Sequence, residues 1–240
     1  MRAVLTKPTR LPASAHLDAV LDAAAAVSGP EFAVTQYFEI HAASPQARLI
    51  TRAVAMVRGG GVIVYPTDSC YALGCCLGDK TPMERIRRIR KVDSSHNFTL
   101  VCRDLSELAT YARVDNSAFR LLKALTPGPY TFILAATREV PRRLQNPRRK
   151  TIGLRVPGHP ISQALLETLG EPLMSSTLLL PGDDLPMTDS QEMRERLNSR
   201  VDLVIDGGYC GLEPTTVLDL TGETPKLLRH GRGDVSMLSL

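Results

Sequence analysis

Three consecutive glycines, Gly59-Gly60-Gly61, separate an amphipathic run from a short and wholly apolar one, and that junction limits the fold more than any other feature. Upstream, Leu49, Ile50, Ala53, Val54 and Val57 recur at helical spacing, with Ser44 as the expected cap and Pro45 in the first turn. Downstream, Val62-Ile63-Val64-Tyr65 predicts a short buried strand that Pro66 stops. The same alternation continues. Thr81-Pro82-Met83-Glu84 reads as a capping box, opening a helix that buries Met83, Ile86 and Ile89. Strands are expected over 98–102, 130–135, 152–156, 173–177, 202–205, 216–220 and 225–229, with helices over 161–169, closed by Gly170, and over 189–198. The pattern predicts an α/β protein with a twisted sheet and helices packed on it.

Composition excludes several classes. Hydrophobic residues make up 43% of the 240 and charged residues 22%, the balance of a globular domain with a sizeable core. No run approaches the roughly 20 apolar residues that a membrane helix needs, and the most apolar early stretch is broken by Asp18 and Asp22, so no secretory leader is expected. Five cysteines, an odd number without metal-type spacing, are expected as reduced thiols in the cytoplasm, with no tightly bound metal. Cys75 and Cys76 are expected as small core residues after a strand, a redox site being the alternative. Residues 1–35 differ in character, with Pro8, Pro12 and an alanine-rich helix expected over 16–27 behind Ser14; they read as an N-terminal extension.

The net charge of +4 conceals a strong local bias. Arg85, Arg87, Arg88, Arg90 and Lys91 face only Glu84 within residues 81–91, and Arg138, Arg142, Arg143, Arg148, Arg149, Lys150 and Arg155 face only Glu139 within 138–155. Two such clusters are an electrostatic footprint for phosphate, or else solvated faces without a ligand. Arg85, Arg87, Lys91, Arg142, Arg143, Arg148, Arg149 and Lys150 are the candidates to face RNA. Neither cluster carries interleaved aromatics, so contact is expected with the RNA backbone.

Phosphate-loop, dinucleotide, zinc-protease and serine-hydrolase motifs do not occur. What remains is a set of strand-end turns rich in hydroxyls, glycine and arginine, where small polar ligands collect. They are Pro66-Thr67-Asp68-Ser69-Cys70-Tyr71-Ala72-Leu73-Gly74, the arginine-rich helix end, Thr151-Ile152-Gly153-Leu154-Arg155, and Ser175-Ser176-Thr177. An arginine inside an apolar strand is costly without an anionic partner, so Arg155 is expected to face a site or a structural carboxylate. His159, before Pro160 at a helix start, is expected to cap or pack.

These segments, together with Thr126-Pro127-Gly128-Pro129-Tyr130-Thr131, Pro157-Gly158-His159-Pro160 and Pro214-Thr215-Thr216-Val217-Leu218-Asp219, resemble the YrdC-like family over residues 36–235; the run His96-Asn97-Phe98-Thr99-Leu100 looks like its YciO branch. The resemblance implies a single domain over 36–240, with a twisted mixed sheet, flanking helices and a concave basic cavity, and a translation start near Val34. It also implies binding of nucleotide and of double-stranded RNA. The best-known members join threonine, bicarbonate and ATP, with Mg2+, into threonylcarbamoyl-AMP for tRNA modification. On that basis Thr67 and Asp68 would line the threonine end, Thr151 and Arg155 the carboxylate or nucleotide side, and Ser175 the strand-end wall.

Two departures leave catalysis open. The synthases carry K-x-R where this chain has Arg88-Ile89-Arg90, and S-x-N where it has Thr177-Leu178-Leu179. Arginine keeps the charge but not the compact ammonium, and leucine removes both a donor and an acceptor. The expectations are therefore a nucleotide pocket with weak or altered synthase or adenylate-hydrolysing activity, or a non-enzymatic RNA- or ribosome-binding protein.

Overall fold

The computed structural model describes residues 34–93 and 96–236. The helix expected over 16–27 lies outside them. Val34–Leu240 form one compact unit.

Its elements, in chain order, are β1 (Gln36–Glu39), α1 (Ala47–Arg58), β2 (Ile63–Tyr65), β3 (Ala72–Cys76), α2 (Lys80–Arg90), β4 (Thr99–Val101), α3 (Leu105–Tyr111), α4 (Asn116–Leu125), β5 (Tyr130–Ala135), β6 (Thr151–Arg155), α5 (Pro160–Leu169), β7 (Leu173–Thr177), α6 (Ser190–Leu197), β8 (Leu203–Asp206), β9 (Thr216–Asp219) and β10 (Lys226–Arg229). The ten strands form one mixed sheet in the order β1-β8-β2-β3-β7-β4-β6-β5-β9-β10. Parallel pairs join β8 to β1 and β2, β4 to β6, and β5 to β9; the remaining neighbours run antiparallel.

Because side chains alternate across a strand, the sheet has two distinct faces. On one, Val64, Leu73, Leu100, Met174, Leu154, Phe132 and Leu218 pack with Met83, Ile86 and Ile89 of α2, Leu122 and Leu125 of α4, and Met193 and Leu197 of α6. On the other, Ile63, Tyr65, Leu203, Ile205, Val101 and Leu173 pack with Ile50, Ala53, Val54 and Val57 of α1 and with Ile161, Leu165, Leu166 and Leu169 of α5. Cys75 and Cys76 belong to opposite faces of β3, one in each cluster, so they do not form a redox pair. All five cysteines are free thiols, and burial raises the pKa of Cys75.

The local signals held in part. Strands β5 and β7 have the expected bounds, and His159 Nδ1 accepts from the Ile161 amide at 3.2 Å, as expected of a cap. Gly170 closes α5 with φ 74°, the left-handed conformation glycine adopts without penalty. Two caps differ. The amide of Ser44 donates to the His41 carbonyl in a preceding turn, so α1 starts after Gln46 and has no side-chain cap. At α2, Asp79 rather than Thr81 is the cap: its Oδ1 accepts from the Thr81 amide at 3.0 Å, because aspartate competes equally for that place. The turn expected to run through Gly74 ends at Tyr71, and β3 begins at Ala72. Gly74 is required there by packing, since a Cβ would lie 2.8 Å from the Tyr65 ring on neighbouring β2.

Candidate active site

Helices α1 and α5 cover only part of their face. Over β7, β4, β6, β5 and β9 the alternate positions are Ser175, Thr99, Gly153, Arg155, Thr131, Ile133 and Val217, and these line a cavity of about 360 Å³. That size falls within the roughly 300–1,000 Å³ of small-ligand sites. Leu179, Leu185, Pro186, Leu212 and Pro214 add an apolar part to the lining. Gly153 keeps the floor open: a Cβ there would sit 3.3 Å from Thr99 Oγ1 and 3.4 Å from Thr131 Cγ2.

Three arginines reach the cavity from different elements. Arg155, at the end of β6, is 7% exposed. Its Nη2 is ion-paired with Asp68, and its Nε is buried without a hydrogen-bond partner. Asp68 is held in turn by the Gly158 amide at 2.8 Å. The loop that presents it is fixed by Thr67, whose buried Oγ1 donates to the Cys70 carbonyl at 2.6 Å and accepts from the amides of Ser69 and Cys70. Arg90, in the last turn of α2, reaches Ser176 Oγ at 2.5 Å, His96 Nε2 at 3.1 Å and the Leu179 carbonyl at 3.3 Å. Arg229 donates from Nε and Nη2 to the Thr215 carbonyl at 3.1 and 2.9 Å. Thr215 and Thr131 share a hydrogen bond of 2.8 Å.

Burial shapes the remaining polar groups. Tyr65, on β2, donates to Ser175 Oγ at 2.8 Å, and desolvation pushes its pKa up to about 12, so it stays a hydroxyl donor. Burial raises the pKa of Cys70, a cavity-lining thiol, and so keeps it protonated. Burial, reinforced by Arg90 and Arg87, lowers that of His96 to about 4.

Of the residues singled out in the sequence, Arg90, Arg155, Ser175 and Thr177 line this cavity, and Asp68 reaches it through Arg155. Thr67 acts one layer behind. Thr151 lines a smaller neighbouring recess with Asn146 and Arg149, and Arg88 is exposed beside Glu84, Arg87 and Lys91, away from the cavity. Several basic side chains are tied to the protein itself: Arg85 pairs with Asp202 at 2.6 Å, Arg87 with Glu84 at 2.6 Å and Arg149 with Asp219 at 2.7 Å. Arg143 and Arg148 are exposed. Arg142 and Lys150 share a depression with Arg113 and Arg138 that no carboxylate lines. His96, Thr131, Thr215 and Arg229 were not singled out as site residues. Strand parity carries a signal for Thr131, polar between apolar Tyr130 and Phe132, but none for Arg229, whose strand lies at the sheet edge.

A family model described as telomere recombination, the Sua5/YciO/YrdC model, matches residues 55–231. The chain belongs to the Sua5/YciO/YrdC family. Within it, the chain is 61% identical to YciO of Escherichia coli over 202 residues, 84% of this chain and 98% of that one. The crystal structure of E. coli YciO superposes with a TM-score of 0.81 over the same shares. The threonylcarbamoyl-AMP synthase of Nitrosococcus oceani is 34% identical over 156 residues, 65% of this chain and 83% of the synthase. P. abyssi Sua5 complexed with L-threonine has a TM-score of 0.76 at 26% identity, covering 82% of this chain and 58% of that protein. The single α/β domain with its mixed sheet and flanking helices is therefore the family fold.

Proposed function

We propose that the cavity is an adenylate pocket for a threonylcarbamoyl-type ligand, working in the cytoplasm with ATP or AMP as the nucleotide. The observation that carries this reading is Arg155: a buried guanidinium on the cavity floor with one carboxylate partner and one N–H left unpaired. Leaving a buried charged donor unmade costs about 1–3 kcal/mol or more, and an anionic ligand removes that cost. The relatives narrow the ligand, since one holds L-threonine and another is a threonylcarbamoyl-AMP synthase. The Arg155–Asp68 pair suits an amino-acid moiety, offering a cation to its carboxylate and a carboxylate acceptor to its N–H. Arg90 and the hydroxyls of Ser175, Ser176 and Thr177 suit the phosphate.

Magnesium fits this reading as a companion of the nucleotide. Among the described residues no three His, Cys, Asp or Glu side chains form a metal set. Magnesium bound to nucleotide phosphates uses one or two carboxylates and water, and Asp184 is the carboxylate that lines the cavity. The ion would neutralise phosphate charge. Leu179, where the synthases carry asparagine, presents no side-chain donor to that end, and synthase chemistry should be slow for this reason.

Calorimetric titration with a non-hydrolysable threonylcarbamoyl-adenylate analogue and Mg2+ tests the pocket. Tight binding that weakens in Arg155→Ala supports it; no binding to the wild-type protein removes it.

A second reading rests on the depression lined by Arg113, Arg138, Arg142 and Lys150. Four cations without an opposing carboxylate suit an RNA backbone. Affinity there should fall steeply with salt, because each neutralised phosphate releases counterions; salt-insensitive or absent RNA binding would eliminate this reading.

A further inference from the structure

Ser176 sits where the cavity wall meets α2, with its Oγ 2.5 Å from Arg90 Nη1 and 3.0 Å from His96 Nε2. Those two nitrogens are 3.1 Å apart, and all three residues line the cavity. The hydrogens can be assigned from chemistry alone. A guanidinium has donors and no acceptor, so Arg90 gives the hydrogen in both of its contacts. His96 Nε2 must then carry a lone pair, which makes the ring neutral with its hydrogen on Nδ1. Ser176 Oγ accepts from Arg90, and its own hydrogen shares the single Nε2 lone pair with the Arg90 hydrogen; a phosphate that draws the guanidinium away leaves that lone pair to Ser176.

A hydroxyl whose hydrogen faces an imidazole lone pair is the arrangement of an activated nucleophile. The imidazole is oriented by the Phe98 ring, edge-on at 5.3 Å and 88°. Locking α2 to β7 requires only the contact of Arg90 with Ser176; it does not require a histidine whose Nε2 is aimed at the same oxygen. Burial and the two arginines, Arg90 and Arg87, keep that histidine neutral at physiological pH, with Asp93 acting weakly the other way.

We propose that Ser176 is a nucleophile toward the acyl carbon of an acyl-adenylate held in the cavity, with His96 as its base. The proposal rests on the adenylate reading above. Oγ attacks the carbonyl carbon while its proton passes to His96 Nε2. The C–O bond to the phosphate breaks, and AMP leaves with the electron pair beside the Arg90 guanidinium. His96 releases the proton to solvent. Water then attacks the serine ester, giving a proton to Nε2. That proton returns to Oγ as the C–O bond to serine breaks. The net reaction converts acyl-adenylate and water into a carboxylic or carbamic acid and AMP. For a carbamoyl group the ester is resonance-stabilised, so deacylation is the slower step and the adduct accumulates.

Intact-mass and peptide mass spectrometry after mixing the protein with threonylcarbamoyl-AMP tests this directly. The expected result is a threonylcarbamoyl mass on the Ser176 peptide. AMP release should fall about 100-fold or more in Ser176→Ala and His96→Gln, the range a positioned base contributes. Ser176→Cys, which keeps a nucleophile of similar size, should retain the adduct as a thiocarbamate. Calorimetry with the non-hydrolysable analogue on each variant separates the two readings. Unimpaired analogue binding with no adduct, and with AMP release equal in wild type and Ser176→Ala, overturns the nucleophile and leaves the pocket standing. No analogue binding by the wild-type protein overturns both.

Discussion

Over β1, β8, β2 and β3, the face that carries α1 and α5 presents Ile63, Tyr65, Leu203 and Ile205, and the two helices cover it. Over β4, β6, β5 and β9 the same face presents Thr99, Gly153, Arg155, Thr131 and Val217, and it opens as the cavity. The strands on both sides are short and alternate in the same way, and the opposite face is continuous apolar core beneath both halves. The difference lies wholly in which side chains occupy every second position. A helix covers a sheet where those positions are apolar; where they are hydroxyls, glycine and arginine, there is no apolar surface to gain by covering them. Stability and ligand recognition are thus assigned to neighbouring halves of one surface.

Substitutions on either half should therefore separate the two properties. The largest effect is expected from Leu166→Ala, fully buried under the covered half. Chemical denaturation should show a loss of about 2–5 kcal/mol, as for leucine deletions in packed cores, with the affinity of the folded protein for the adenylate analogue unchanged. On the open half, Arg155→Ala should weaken analogue binding about 10- to 100-fold, the worth of a charge-assisted hydrogen bond. The same change frees Asp68 of its partner. If Arg155→Ala binds as the wild type does, the open half is not the recognition surface. Thr131→Val should cost about 1 kcal/mol or less, because it breaks one buried hydrogen bond, to Thr215, and keeps the volume.

The last effect concerns pH and is small only near neutrality. His96 titrates near 4 in the folded protein, below its ordinary value of 6.5. Between those values the unfolded chain binds a proton that the folded form refuses. Stability is therefore full above pH 6.5 and declines as the pH falls toward 4. His96→Gln should flatten that decline in parallel denaturation curves. A wild-type and variant pair with identical pH profiles would show that the imidazole is not held neutral.

The sequence made the covered half easy to read and the open half harder. Periodic runs such as 49–57 and 161–169 announce helices through the apolar area they bury, and the strands of the large core stand out as apolar blocks. Arg155 stood out because a cation in an apolar strand needs an explanation, and the geometry supplies one in Asp68. Arg88 and Arg90 could not be told apart by composition. Two residues apart near the end of α2, one is exposed and the other turns toward Ser176 and His96. Contacts between distant elements were least visible, since no local pattern relates Arg229 on an edge strand to Thr215, or His96 to Ser176. Strand β3 was missed for a related reason: its central glycine follows from the Tyr65 ring beside it rather than from any strand preference.

The alternation along β6 also bears on how the protein can change by insertion and deletion. Thr151, Gly153 and Arg155 face the ligand side, while Ile152 and Leu154 face the core. A single added or lost residue would exchange the two sets, sending arginine into the core and leucine into the cavity at once. Substitutions can retune the pocket position by position, but a length change within β6 would abolish core and pocket together. Length variation compatible with function is thus confined to the loops between strands.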